Sequence, residues 1–338
     1  MTPDHTLLFL ALLATRAFAF VPPAPAFGDR TSAVSAAPLT SGEGTVGVVG
    51  AGYAAVLAAK IAKTVGGFDT WILCPPDEVE TFDDVIYGSY AARVEAGEDG
   101  MRYVSPEDVE GVLREGKTDA VLMVVDGEGC LRPESTQQII EWGAGDGGRL
   151  KRVAVMSRNL ANNQGYGFFA RAAKTAANVE IWLGPDTRRD VLDQYKEFEK
   201  TVKDTCAANG VDHTIARAGT LKGGGCGEDG AHPQFLTKSY YERTKKDIIT
   251  WQLLYDCAVR GVTLTKGDVA TGPGNTAVLN AVDAKAHAGD TSRGGLAEAI
   301  VRSLMREEMA GMDFGVGVAE GREPPTDSEW EALFQSLN

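Results

Sequence analysis

The chain has 338 residues and a formal net charge of −14 at pH 7. This negative charge argues against non-specific binding to nucleic acid, which depends on clustered Lys and Arg side chains. The five cysteines are odd in number and form no Cys-x-x-Cys pair, and with only four histidines they argue against a zinc site and against a disulfide framework.

The first 40 residues are predicted to precede the folded domain. The apolar run Leu7–Leu13 is too short to span a membrane as a helix and fits the apolar region of a signal peptide. A small-residue cleavage site at Ala17–Ala19 gives residues 1–19 as the signal peptide. Residues 20–40 are similar in composition to a transit peptide, and Phe20 directly follows the predicted cleavage site.

This junction resembles the bipartite presequence of algae with complex, red-derived plastids, which implies the chloroplast stroma as the location. A secreted protein with a disordered leader is the alternative. Beyond the leader no long apolar segment occurs, so no integral membrane span is expected in the mature chain.

The segment after the leader predicts a strand, a glycine turn and a helix. The apolar run Val46–Val49 is typical of a buried strand, and Gly50-x-Gly52-x-x-Ala55 follows it, with small residues then continuing at helical spacing. In dinucleotide-binding turns the first glycine allows the tight turn and the second lets the backbone approach a pyrophosphate, which the helix N-terminus attracts. An ordinary strand–helix turn with tight packing is the alternative. The predicted dinucleotide-binding residues are Gly50, Gly52, Tyr53, Ala54 and Ala55.

Strands and helices then alternate along the chain, which is typical of a doubly wound, Rossmann-type parallel sheet. The unbroken apolar run Ala120–Val125 predicts a strand buried on both faces. A helix is predicted to begin at Ser105 as N-cap with Pro106 at the first helical position. The other predicted strands are Thr70–Leu73, Arg102–Val104, Val153–Met156, Thr214–Arg217 and Asp313–Val318, and the other predicted helices are Val191–Ala208, Gly295–Met309 and one from Asp327.

The segment 221–291, after the sixth strand, differs from the rest of the predicted domain 41–338. It opens with Gly223–Gly225 and contains further glycines around Gly272–Asn275. In a doubly wound domain the ligand crevice lies beyond the carboxyl ends of the strands. We therefore predict that this insertion is a substrate lobe or lid, with an interaction surface as the alternative.

Several segments, taken in chain order, resemble a known family. Lys196–Glu199 and Ala208–Leu221 look like the pattern "K-x-x-E … sG-x-x-y-T-I-x-R-P-G-x-L", and Lys151–Ser157 is similar to the strand before it. Ser292–Ala297 is similar to the helix start "S-R-x-D-L-A", and Trp330–Phe334 to the closing "W-x-x-x-F". The chain thus resembles the atypical and extended short-chain dehydrogenase/reductase superfamily, in its branch of NAD(P)-binding plastid proteins. The resemblance implies a Rossmann-type fold and an NAD or NADP cofactor.

The chain departs from that family at the glycine turn, where Gly50-x-Gly52-x-x-Ala55 replaces the usual G-x-x-G-x-x-G, and at Ala218, where proline is usual. The choice between NAD and NADP is usually made by an acid or an arginine after the second strand. Here Cys74, Pro75 and Pro76 stand there, so the sequence leaves that choice open.

Reduction in this superfamily uses a tyrosine, a lysine four residues later and a serine that polarises the substrate oxygen. Ser157, at the end of the fifth strand, and Lys196 match the serine and the lysine, and they are the predicted catalytic or cofactor-holding residues. The tyrosine is absent, because position 192 is leucine. Tyr195, next to Lys196, would point about 100° away from it on a helix.

Other candidates for chemistry are weaker. Tyr241 and Lys245 have the required spacing but lie inside the insertion, where a coincidence in a polar helix is the simpler interpretation. Tyr166 lies in a glycine-rich loop after the fifth strand, and Cys226 is a lone cysteine in a glycine-rich segment.

Two hypotheses follow. One is a non-catalytic plastid NAD(P)-binding protein, acting as a redox-sensing scaffold or as an assembly factor with a photosynthetic-complex or other plastid partner. The other is an NAD(P)H-dependent oxidoreductase of a small or isoprenoid-type substrate with a non-standard proton donor. The missing tyrosine favours the first.

Overall fold

The structure is a computed structural model. The predictions for the leader up to residue 36, for Tyr166, for Cys226 and for the Tyr241/Lys245 pair lie outside the residues that it describes. Those residues are 37–97, 100–126, 129–158, 189–223, 235–237, 239–240, 255–269 and 285–338.

A mostly parallel sheet forms the centre of the molecule. Its eight strands lie in the order β3-β2-β1-β4-β5-β6-β10-β8, and only β8 runs antiparallel to its neighbour. A separate parallel pair joins β7 to β9. The strands are β1 Thr45–Ala51, β2 Asp69–Leu73, β3 Arg102–Val104, β4 Ala120–Val125, β5 Arg152–Arg158, β6 Asp212–Ala218, β7 Thr220–Lys222, β8 Gly261–Lys266, β9 Asp290–Ser292 and β10 Met312–Ala319.

The order 3-2-1-4-5-6 is the strand order of the Rossmann fold, so the predicted fold class is confirmed. The chain adds β2 and β3 on one side of β1 and the later strands on the other side, so the strand order reverses between β1 and β4. These two strands are paired from Val46↔Ala120 to Ala51↔Val125. A ligand crevice in such a sheet lies at the carboxyl ends of these two strands.

Helices cover both faces of the sheet, because each central strand carries apolar side chains on both sides. On β1, Val48 belongs to one core and Val49 to the other, and on β5 Met156 and Val155 divide in the same way. The helices are α1 Tyr53–Thr64, α2 Val79–Tyr87, α3 Tyr90–Ala96, α4 Val109–Arg114, α5 Pro133–Ala144, α6 Arg189–Asn209, α7 Arg293–Ser303 and α8 Asp327–Gln335.

The two cores contain different helices. Leu57 and Ile61 of α1 pack with Leu296 and Ile300 of α7 on the first face. On the second face, residues of α4, α5 and α6 pack together against the sheet. The close approach of α1 to the sheet follows from its small side chains, which include Ala54, Ala55, Ala58, Ala59 and Ala62, all of them buried.

Two local predictions are corrected by the structure. Ser105 does not cap a helix: its hydroxyl bonds the Asp108 carboxylate at 2.7 Å, residues 106–108 form a turn, and α4 starts at Val109. The helix predicted to reach Met309 ends at Ser303. Just before the predicted start of the domain, Leu39 is buried in the first core and its N–H donates to the Leu304 carbonyl at 3.0 Å.

The described part of the predicted lobe 221–291 contributes a strand to the central sheet. Gly261–Lys266 is not part of a lid, since it forms β8 and pairs with β10 in the central sheet from Phe314↔Lys266 to Ala319↔Gly261. Lys222 and Asp290, near the two ends of the segment, lie in the paired strands β7 and β9. Within the described part of the chain, no helix is long and apolar enough to cross a membrane.

Candidate functional site

The glycine turn lies where the fold predicts a ligand, at the carboxyl end of β1. A Cβ atom on Gly50 would lie 1.7 Å from the carbonyl oxygen of Val124, and one on Gly52 would lie 2.8 Å from the Cβ of Asp126. Gly52 also has a φ of +79°, which favours glycine. Close packing against β4 therefore requires both glycines, whether or not a nucleotide binds.

The N-terminus of α1 is occupied by a protein carboxylate. The N–H of Ala54, in the first turn of the helix, donates to Oδ2 of Asp126 at 3.2 Å. An anion at this position is favoured by the free amide groups and by the helix dipole. The carboxylate of Asp126 therefore contacts the turn that contains the five predicted cofactor residues, Gly50, Gly52, Tyr53, Ala54 and Ala55.

Asp126 is held there by a buried arginine. Nε and Nη2 of Arg293 approach its two carboxylate oxygens at 2.6 and 3.2 Å, and Nη1 donates to the carbonyl oxygen of Gly223 at 2.9 Å. Ser292 caps α7 by accepting the N–H of Gly295, which places Arg293 at the first helical position. The N-termini of α1 and α7 therefore meet across one carboxylate.

A second buried ion pair lies next to this one. Nζ of Lys222 on β7 is 2.6 Å from Asp290 on β9, and the same ammonium group lies 5.4 Å from the ring centre of Tyr255. Gly223 joins the two pairs, since its carbonyl oxygen accepts hydrogen bonds from Arg293 and from the hydroxyl of Tyr240. Polar groups from β4, β7, β9 and α7 thus converge here.

Ser157, the predicted catalytic serine, lies at the carboxyl end of β5 as expected. Its side chain is fully buried, and its hydroxyl has no hydrogen-bond partner within the described residues. The next residue, Arg158, is 5% exposed, and its Nε and Nη1 have no partner there either. Buried polar groups are costly unless they are hydrogen-bonded, so both residues point to a ligand or to ordered water.

Lys196 is the predicted lysine partner of Ser157. Lys196 lies on the exposed side of α6, and its Nζ is 3.4 Å from Asp193, whose side chain is also exposed. The buried side of the helix instead carries Tyr195, whose hydroxyl donates to the carbonyl oxygen of Gly129. Burial raises the pKa of Tyr195, so its hydroxyl keeps its proton at neutral pH. In this arrangement the neighbouring tyrosine and lysine do not act together.

The other charged residues of the motif near Lys196 have a structural role. Glu199 and Arg217 form a bidentate ion pair with oxygen–nitrogen distances of 2.6 and 2.8 Å, and Arg217 also contacts Asp313 at 2.9 Å. This network ties α6 to β6 and β10. The motif therefore stabilises the sheet next to the site without entering it.

At the end of β2, no charged side chain selects between NAD and NADP. Cys74 is buried, and its N–H bonds the Val104 carbonyl at 2.9 Å. Burial and the nearby Glu78 and Asp83 raise the pKa of its thiol to about 12, so it is unreactive at neutral pH. Burial lowers the pKa of Lys60, whose Nζ lies 5.0 Å from the ring centre of Tyr87.

The residues that the sequence interpretation missed are Asp126, Arg158 and Arg293. Two of them carried a usable signal, because Asp126 directly follows the buried run of β4 and Arg158 closes β5. A charged residue at the carboxyl end of a parallel strand is a candidate for the crevice. The only sequence signal for Arg293 was the similarity of Ser292–Ala297 to a helix start of the family. In the described residues, no group of three or more His, Cys, Asp or Glu side chains is suited to hold a metal ion.

Comparison with known proteins gives likeness of fold only. No family model matches the chain, and no curated protein matches it. Among solved structures, a short-chain dehydrogenase/reductase from Veillonella parvula in complex with NADP is 12% identical, with a TM-score of 0.43 over 84% of this chain and 99% of that chain. Gre2 from Candida albicans in complex with NADPH is 12% identical, with a TM-score of 0.48 over 82% of this chain and 80% of that chain. The Rossmann assignment itself comes from the strand order.

Proposed function

We propose that this chain is an NAD(P)-binding protein of the short-chain dehydrogenase type, and that it acts in a plastid as a non-catalytic redox-sensing or assembly scaffold. The observation that carries the proposal is the glycine turn at the N-terminus of α1, placed at the point where the winding of the sheet reverses. Rossmann sheets bind dinucleotides at this position.

A bound pyrophosphate and the Asp126 carboxylate compete for the same amide group. We expect Asp126 to leave the N–H of Ala54 and to stay paired with Arg293 when a dinucleotide binds. The cofactor supplies hydride chemistry wherever it binds, while the chain's own residues hold its phosphates and riboses. This competition weakens binding and makes it sensitive to the charge at position 126.

The scaffold role is supported by the arrangement of α6. A reductase of this type needs a proton donor next to the substrate oxygen. Position 192 is leucine, Lys196 contacts Asp193, and Tyr195 donates to Gly129. The described residues therefore contain no tyrosine–lysine pair aimed at Ser157.

Calorimetric titration of the mature chain with NADPH and NADH tests the proposal directly. We expect saturable binding of at least one of them and no oxidation of NADPH with a panel of quinones and aldehydes. Failure of both dinucleotides to bind would overturn the proposal, and turnover would overturn its non-catalytic part. Lys196→Met is a useful control, because its exposed position predicts unchanged affinity.

An NAD(P)H-dependent oxidoreductase of a small or isoprenoid-type substrate is the second candidate. It is favoured by the buried, unpartnered hydroxyl of Ser157 at the end of β5. If this function is correct, Ser157→Ala loses turnover while keeping dinucleotide affinity, whereas in a scaffold the same variant has no activity to lose.

The plastid location is part of the proposal and is supported by the presequence pattern around Phe20. A fluorescent protein fused behind residues 1–40 and expressed in a diatom or a related alga tests it. Import into the plastid is the expected result. Secretion or retention in the endoplasmic reticulum would contradict it.

A further inference from the structure

Arg158 is a buried cation without a counter-charge among its described contacts. Its Nε and Nη1 donate no hydrogen bond, although the residue is 5% exposed. Other buried arginines of the chain are paired: Arg293 with Asp126, and Arg217 with Glu199. An uncompensated buried guanidinium is among the most costly groups in a folded protein. A missing partner is therefore expected at Arg158.

Strand alternation directs Arg158 towards the sheet face that carries α1 and α7. Met156, two residues earlier on β5, packs in the core on that face, whereas Val155 packs on the opposite face. The β4–β5 register pairs Met123 with Val155. Asp126 directly follows β4 and Arg158 is the last residue of β5. Arg158 is therefore at the same end of the sheet as the carboxylate that occupies the N-terminus of α1.

Among the described residues, the charges at the carboxyl ends of β4 and β5 do not balance. Asp126 supplies one carboxylate, and both its oxygens are already used by Arg293 and by the N–H of Ala54. The N-terminus of α1, a twelve-residue helix, adds partial positive charge from its amide groups. Within the described residues, the guanidinium of Arg158 therefore remains for an external anion.

We propose that Arg158 binds the oxyanion of a ligand, a carboxylate or a phosphate group, at the carboxyl ends of β4 and β5. Guanidinium groups bind such oxyanions through charge-assisted hydrogen bonds, here from Nε–H and Nη1–H. Arg158 lies two strand spacings from Gly52 across the sheet, roughly 10 Å between Cα atoms. A separate ligand beside the dinucleotide or a phosphate of the dinucleotide itself can supply the oxyanion.

The test is a calorimetric titration of the full mature chain with inorganic phosphate, at ionic strength matched with chloride. We compare the wild type with Arg158→Gln, which removes the charge and leaves a shorter, polar side chain. The matched control is Arg149→Gln, which makes the same charge change at an exposed position on the opposite edge of the sheet, where Arg149 contacts Asp119 at 3.0 Å.

We expect phosphate to bind the wild type and the Arg149→Gln variant alike, and to bind Arg158→Gln at least tenfold more weakly. Arg158→Lys keeps the charge and is expected to recover part of the affinity. Absence of phosphate binding to the wild type, or equal affinity in Arg158→Gln, would overturn the proposal. If Arg158→Gln does not fold, the comparison of the wild type with Arg158→Lys decides: weaker phosphate binding by the lysine variant supports the proposal, and equal binding overturns it.

A second titration, with NADH in saturating phosphate, identifies the source of the oxyanion. Unchanged NADH affinity indicates a separate ligand, and competition indicates a phosphate of the dinucleotide. The phosphate titration stands without any dinucleotide, so failure of the proposed function and failure of this inference give different results.

Discussion

Two aspartates flank strand β4, one at each end, and each carboxylate accepts a backbone N–H and contacts at least one cationic side chain. Asp119, before the strand, accepts the N–H of Thr45 at 3.1 Å and contacts Arg149 and Lys151, each at 3.0 Å. Asp126, after the strand, accepts a backbone N–H from α1 and contacts one arginine.

The surroundings of the two carboxylates differ. The cations at Asp119 have about half of their side chains in solvent, with exposed fractions of 57% for Arg149 and 48% for Lys151. The cation at Asp126 is Arg293, whose side chain is 9% exposed. Arg158, at the same end of the sheet, is buried, and its Nε and Nη1 have no partner within the described residues. At the amino end of β4 the charges are therefore paired and in contact with solvent. At the carboxyl ends of β4 and β5, a buried guanidinium has no partner within the described residues.

The largest expected difference between the two ends of β4 is in the free energy of unfolding after a cation is removed. Arg293→Met leaves the buried Asp126 carboxylate without its arginine, and we expect a loss of about 3–5 kcal/mol in the free energy of unfolding. Arg149→Met breaks a half-exposed contact and should cost about 1 kcal/mol or less. Urea denaturation of both variants measures this. Equal losses would mean that the Asp126 pair is not buried in solution.

Replacing the glycine beside each aspartate by alanine is expected to give a smaller difference in the free energy of unfolding. Gly52 and Gly44 both have positive φ, +79° and +96°, so backbone strain is common to both. A Cβ on Gly52 would lie 2.8 Å from the Cβ and 2.9 Å from the carbonyl oxygen of Asp126, whereas one on Gly44 would lie 3.1 Å from a carboxylate oxygen of Asp119. We expect Gly52→Ala to cost about 3 kcal/mol and Gly44→Ala about 1–2 kcal/mol. Thermal unfolding that ranks them in reverse would contradict the close packing of the turn on β4.

Neutralising each aspartate separates function from structure. Asp126→Asn removes negative charge from the N-terminus of α1, so we expect about fivefold tighter binding of NADPH or NADH. Asp119→Asn, at the far edge of the sheet, should leave dinucleotide affinity unchanged. Calorimetric titration measures both, and equal shifts would show that only net charge matters.

The smallest expected effect is on the acid unfolding of the Asp119→Asn variant. Burial opposes ionisation of Asp119, but the N–H of Thr45, Lys151 and Arg149 outweigh it and lower its pKa. A carboxyl whose pKa is lower in the folded than in the unfolded state stabilises the fold above the unfolded pKa of about 3.9, and this stabilisation is lost as pH falls through the folded pKa. Asp119→Asn should therefore flatten the loss of stability below about pH 4. An unchanged acid limb in urea titrations would contradict this.

Much of the fold was predictable because the central strands carry their own signal. Ala120–Val125 has the predicted bounds, since a buried parallel strand is a continuous apolar run between polar ends. Arg102–Val104 also has the predicted bounds. The failures are local and physical. Ser105 bonds the Asp108 side chain instead of capping a helix, and β8 required knowledge of its distant partner β10.

The site was predictable only in part. Lys196 matched a family pattern, but helical phase turned Tyr195 towards the sheet and Lys196 into solvent. A motif gives the type of residue at each position, while the direction of a side chain depends on which side of the helix meets the sheet.

By itself, the sequence determined the strand, the glycine turn and the start of α1, because Val46 to Ala55 form these elements through local sterics and close packing. It also determined that no tyrosine stands four residues before Lys196. Only the tertiary structure decided which charges meet at the N-terminus of α1. Asp126 and Arg293 are 167 residues apart in the chain. Nothing local joins them, since the contact exists only when the fold brings the end of β4 to the N-terminus of α7.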